Sequence, residues 1–130
     1  MQHQSAYQNI IFDEKNHFLE IFWEKTDFSE QTYKDEVIWQ LDFILRYKPK
    51  SLLIDTQKFF FTISPDIQDW SNREVLPKVL ATDIKRIALL ISSDLFAQVS
   101  IEQQMEDNPE ALNLIRYFEN YEQARRWCLE

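Results

Sequence analysis

Glycine is missing from all 130 residues of the chain. Glycine supplies positive-φ turns and close backbone approaches that other residues reach only at a cost. Its absence excludes the P-loop and the G-x-G-x-x-G dinucleotide fingerprint, which both need it. Small polar residues must then take over some turn conformations, and Asn16, Asn108 and Asn120 are the expected carriers. Cysteine occurs once, at Cys128, so no disulfide can close within the chain, and a cytoplasmic location is the simplest expectation. No stretch approaches the ~20 apolar residues needed to span a bilayer. The opening MQHQSAYQNI lacks the basic start and apolar run of a secretory signal. Positive charge is scarce: 14 Lys and Arg stand against 22 Asp and Glu, a net charge of −8. Such a surface mostly repels phosphate backbones and anionic lipid, so neither nucleic acid nor membrane insertion is expected.

What the chain does have is apolar mass. Hydrophobic residues make up 45% and aromatics 15%, enough for one sizeable core in a single domain spanning 1–130. Residues 1–8 read as a loose N-terminal arm. The runs NIIF (9–12) and HFLEIFW (17–23), joined by DEKN, read as a β-hairpin. In its second strand Leu19, Ile21 and Trp23 share one wholly apolar face, which should meet the core; Phe18, Glu20 and Phe22 share the other. A helix is expected from about Ser29 to Tyr47, with Ser29 as N-cap and Phe28 stapled onto Tyr33. Its core stripe reads as Tyr33, Val37, Ile38, Leu41, Ile44 and Leu45. Trp39 and Phe43 fall roughly opposite, with Tyr47 at the margin.

SLLID (51–55) and RIALLIS (86–92) read as buried strands. A helix is expected after Ser64 towards Leu76, kinked or ended by Pro77. Another opens at Ser93-Asp94 and closes near residues 107–109. LNLIRYF (112–118) reads as the last strand, and Asn120 with Gln123 forms a capping box for the last helix. The order is therefore β-β-α-β-α-β-α-β-α. That order implies an α/β fold with right-handed crossovers and a mixed, mostly parallel sheet of five strands and four helices.

The order, the size and the run YKPKSLLIDTQKFFFTISPDIQDW resemble the STAS-type fold, the family of anti-sigma-factor antagonists. DLFAQVSIEQ and RYFENYEQARRWCLE are similar to the small stand-alone bacterial proteins grouped as STAS/SEC14-like or SpoIIAA-like. In partner-switching members of that family a serine in an Asp-Ser-Ser-Gly stretch, at a helix start, is phosphorylated. The resemblance implies TISPD as the matching stretch and Ser64 as the phosphorylation position, with Ile63, Pro65 and Asp66 departing from the motif. It implies a non-enzymatic regulatory module that binds a protein partner through the start of the second helix. The alternative it implies is a carrier or sensor of a small apolar or lipid-like ligand.

The residues themselves support two readings of Ser64. As an N-cap it accepts a backbone N–H, Pro65 suits the first helical position, and Asp66 suits the positive end of the dipole. As a phosphorylation site it gains from the helix N-terminus but faces Asp66. Ligands of open parallel sheets sit beyond the carboxyl ends of the strands. The candidate binding residues there are Asp55, Thr56, Phe59, Phe61, Thr62, Ser64 and Asp66. Trp39, Phe43 and Tyr47 have two readings: a candidate homodimer or partner patch, because exposed aromatics mark contacts, or a surface covered by a neighbouring loop or the N-terminal arm. No catalytic residue, metal site or cofactor is expected. His3 lies in the arm, His17 opens a strand, and Cys128 reads as packing.

Overall fold

The computed structural model describes residues 1–24, 29–58, 64–93 and 114–130. The strands are β1 (Gln2–Gln4), β2 (Gln8–Asp13), β3 (Phe18–Trp23), β4 (Ser51–Asp55), β5 (Arg86–Leu90) and β6 (Ile115–Phe118). They form a single six-stranded sheet in sequence order, β1-β2-β3-β4-β5-β6. The pairs β1–β2 and β2–β3 are antiparallel, and β3 to β6 run parallel. The hairpin, the parallel strands and the α/β class follow the sequence pattern. The sixth strand does not: the arm expected to be loose is β1. Its backbone pairs with β2, and the Met1 ammonium donates to the Phe12 carbonyl at 3.0 Å.

The helices are α1 (Glu30–Tyr47), α2 (Pro65–Trp70), α3 (Leu76–Leu80) and α4 (Tyr121–Leu129), with a π-helical stretch (Ser71–Val75) joining α2 to α3. Pro77 therefore neither ends nor breaks the helical path. The carbonyl its ring crowds, four residues back at Arg73, lies inside the widened stretch, where the Leu76 N–H reaches back to Ser71. The Phe28 staple, the helix expected after Ser93 and the start of the last expected strand lie outside the described residues.

One strand order explains the layers. Parallel strands laid down in sequence, with crossovers of one hand, carry their connecting helices on one face. Accordingly α1 and α3 share a core with Leu19, Ile21, Leu52 and Ile87, through Leu41, Ile44 and Val79. The opposite face holds Phe18, Leu53, Ala88, Leu90 and Phe118 beneath Ala124 and Cys128 of α4. Ser51 Oγ donates to the Cys128 carbonyl at 2.7 Å and Arg86 Nη1 to that of Trp127, so two orphan carbonyls at the end of α4 are satisfied.

The orientation of α1 corrects the expected stripe. Val37, Leu41 and Ile44 are buried as read, but Phe43 is 5% exposed, whereas Ile38 is 52% and Leu45 39% exposed. The inward face is turned towards the Phe43 side because β1 widens the sheet there. His3 stacks on Phe43 at 4.3 Å and hydrogen-bonds the Tyr47 hydroxyl at 2.9 Å, while Tyr47 stacks on Phe12 at 4.3 Å. Beside this aromatic column the fully buried Gln8 donates to the Glu36 carbonyl at 3.0 Å and accepts from Gln40 at 2.7 Å. Ser5 Oγ donates to the Glu36 carboxylate. These bonds fix α1 against β2 with its buried polar atoms paired.

Among the described residues positive φ falls at His17 (53°), Lys48 (46°) and Asp83 (24°) and not at Asn16 or Asn120; Asn108 lies outside the described residues. Asn16 instead donates to Asp13 from its backbone and its side-chain amide, and His17 behind it turns the chain. Lys48 is the left-handed C-cap of α1, its N–H bonded to the Ile44 carbonyl. A side chain in that region costs about 1 kcal/mol or more. Lys48→Gly is therefore expected to stabilise the fold by up to about 1 kcal/mol, read as a raised urea midpoint at unchanged slope.

Candidate binding edge

The parallel strands end together, and the chain turns back into helices from the same rim. Ser29, Ser64 and Asn120 begin α1, α2 and α4, and each acts as an N-cap. Their side chains accept from the backbone N–H groups of Thr32 (3.1 Å), Ile67 (3.3 Å) and Gln123 (3.0 Å). The cap reading of Ser64 thus holds in geometry: extended backbone, Pro65 first in the helix, Asp66 in its first turn. Ser64 Oγ also lies 3.4 Å from Glu30 Oε1, which links the starts of α2 and α1.

The strand ends are stitched by short polar contacts. Thr56 donates to the Leu90 carbonyl from both its N–H (2.8 Å) and its hydroxyl (3.0 Å). The Gln57 N–H donates to Asp55 Oδ1 at 2.9 Å, and the Gln57 amide reaches the Glu119 carbonyl at 3.2 Å. Lys58 pairs with Glu24 at 3.0 Å, with both side chains well exposed. Burial holds the Asp55 carboxyl above its usual range, against the opposing pull of the Gln57 N–H and Lys58.

Of the candidate residues, the fold brings Asp55, Thr56, Ser64 and Asp66 to this rim; Phe59, Phe61 and Thr62 lie outside the described residues. The aromatic patch lies away from this rim and takes the covered reading. Phe43 is interior and Tyr47 half-buried beneath His3 of the arm and Phe12, and Trp39 is half-buried against Phe43. The rim itself is acidic. Glu24, Glu30, Asp66, Glu119 and Glu122 are exposed around it, and Lys58 is already engaged. Among the described residues, no cluster of three or more His, Cys, Asp or Glu is placed to hold a metal ion. No described helix is long and apolar enough to cross a membrane.

The sequence pattern missed one polar pair. Glu20 reads as an outward residue of an amphipathic strand, yet it is 9% exposed and accepts the Tyr121 hydroxyl of α4. Burial pushes its carboxyl up, while the Tyr121 bond and Arg125 pull it partly back. Burial, then the Glu20 bond, raises the Tyr121 phenol far above its ordinary value. Cys128 lies on the same face, its thiol pushed up to about 12 by burial. It behaves as a small apolar residue rather than a nucleophile.

Comparison with protein-family models, curated proteins and solved structures gives no match for this chain.

Two predictions arise from this geometry. Ser64→Ala is expected to cost about 1 kcal/mol of stability in urea unfolding, while Ser64→Asp, which can still cap, loses less than half of that. For Glu20, a folded-state pKa above the unfolded value means that its favourable contribution is complete below the unfolded pKa of 4.5. It fades as pH rises through the folded value. Glu20→Gln should therefore compare more favourably with the parent at pH 7 than at pH 4 in thermal melts. A pH-independent difference would remove the buried carboxylate as its cause.

Proposed function

We propose that the chain is a non-enzymatic, STAS-like regulatory module whose carboxyl rim, around the start of α2, binds a protein partner. The observation that carries this reading is the gathering of three capped helix starts and the carboxyl ends of four parallel strands on one edge that is acidic among the described residues. The sheet order also favours it. In doubly wound folds a small ligand enters where the strand order reverses and adjacent helices lie on opposite faces. Strands β3 to β6 run in one direction of order, so they leave no such crevice.

The chemistry of the rim suggests the partner's surface. Exposed carboxylates with one engaged lysine complement basic side chains, and contact between opposite charges steers association. Phosphorylation at Ser64 would add negative charge to an edge already carrying Glu30 and Asp66 and would strengthen docking of a basic surface. Among the described residues a shallow dent of about 350 Å³ on α4 is lined by Glu122, Arg125, Arg126, Leu129 and Glu130, a charged lining that suits an apolar ligand poorly.

Lys58 provides a handle on the edge itself. Amine-reactive crosslinking in the source cell lysate is expected to join Lys58 to a protein other than this chain. Asp66→Lys/Glu122→Lys, which reverses charge on the rim, should lose that crosslink with at most a small drop in melting temperature. Crosslinks that are absent at Lys58, or that persist unchanged in Asp66→Lys/Glu122→Lys, would rule out this surface.

A further inference from the structure

The opposite end of the sheet gathers lysines, with Glu14 and Asp83 as exposed acids among them. His17, Lys50 and Lys85 each stand one residue before a parallel strand, β3, β4 and β5. Their backbones are direct neighbours: the Lys50 N–H donates to the His17 carbonyl at 2.8 Å, and the Lys85 N–H to the Lys50 carbonyl at 2.8 Å. Strand spacing of about 4.8 Å therefore sets these side chains in one row. All three are exposed, as are Lys15 and Lys48 beside them. Among the described residues none of these four lysines forms an ion pair.

Helix dipoles account for only part of this pattern. Arg46, Lys48 and Lys78 lie at or near the ends of α1 and α3, where cations offset exposed carbonyls. Lys50 and Lys85 belong to strand starts, next to Ser51 and Arg86, and it is these neighbours that bond the last carbonyls of α4. Adjacent unpaired cations on a chain of net charge −8 are a local excess of the scarce sign. Because β3, β4 and β5 all point the same way, the row and the acidic rim occupy opposite ends of one body.

We propose that the row His17–Lys50–Lys85 docks onto the acidic carboxyl rim of a second copy of this chain. The two surfaces differ, so the contact is heterologous and propagates head to tail instead of closing as a two-fold dimer. Exposed charge pairs are individually weak and screened by salt, so the association belongs to high protein concentration and low ionic strength. This inference rests on the rim being a binding surface and assigns that surface an additional occupant.

Sedimentation velocity on the intact chain tests it. At about 10 mM salt the weight-average mass should rise with concentration above the 15.8 kDa of one chain, and at about 1 M salt it should return there. Lys50→Gln/Lys85→Gln removes charge from the row, and Asp66→Asn/Glu119→Gln removes it from the rim. Each double variant should weaken association about fivefold or more. An equimolar mixture should recover a species of twice the monomer mass and no larger, since each variant keeps the surface the other lacks. Thermal melts of each variant separate lost docking from lost folding; one that melts early is replaced by its single substitutions. Monomer mass at every concentration in low salt, or association that both variants retain, overturns the head-to-tail contact. So does binding of the row to anionic vesicles without self-association. The Lys58 crosslink to a different protein is unaffected by any of these results, so the two readings fail separately.

Discussion

The fold depends on β3 being buried from both sides. It is the strand at which the antiparallel part of the sheet meets the parallel part, with β2 on one edge and β4 on the other. Leu19, Ile21 and Trp23 face α1, and Phe18 faces α4; all four are under 5% exposed. Fully burying such side chains contributes about 1.5–3 kcal/mol each, before the chain entropy that opposes it. Removing either helix would expose one row of this strand, so the two layers are coupled through its backbone. The same constraint explains Glu20. A carboxylate on the α4 side of a doubly covered strand needs a partner, and Tyr121 supplies one from the first position of α4.

Building this architecture without glycine moves backbone cost onto ordinary residues. The hairpin ends at His17 and α1 at Lys48, both with positive φ, and the turn before β5 passes through Asp83. These positions lie at the same end of the sheet, where helices finish and strands begin. The carboxyl rim carries none of them among the described residues. Its turns are made by side-chain bonds instead: Asp55 to Gln57, Ser29 to Thr32, Ser64 to Ile67 and Asn120 to Gln123. Asp, Asn and Ser hold a chain reversal by hydrogen bonding their own backbone, without entering the left-handed region. The amino end therefore holds the strained backbone and the rim the polar caps.

What could be read from the sequence follows from how local each feature is. The three caps were legible because a cap needs only its own next turn. The strands β2 to β5 were legible because their apolar runs are long and bounded. The inward face of α1 was not, since it depends on β1, and Gln2-His3-Gln4 carries no apolar signal of a strand. Once β1 is in place, His3 needs an aromatic floor, and Phe43 becomes interior instead of exposed. The burial of Glu20 was hidden for a related reason. Alternation predicts which residues share a face, but it cannot say whether that face meets water or a helix from the far end of the chain. The π stretch before Pro77 was beyond reach too, because a proline in a helical pattern signals disruption without saying whether the helix stops or widens.

The proposed binding role of the rim rests on topology more than on any one residue. A reversal in strand order opens a crevice, and a crevice selects small molecules by enclosing them. A monotonic order gives an edge instead, along which the described crossovers leave β3 and β4 and begin α1 and α2. Recognition at an edge must come from many modest contacts spread over area, each screened and individually weak. Its specificity therefore resides in the pattern of charge and in the height of each helix start above the strand ends. Ser64 bears on both: it caps α2 and lies beside Glu30 of α1. Any group that alters its charge would act at once on the local electrostatics and on the seating of α2 against α1, so in the proposed binding role control and contact would fall on the same atom.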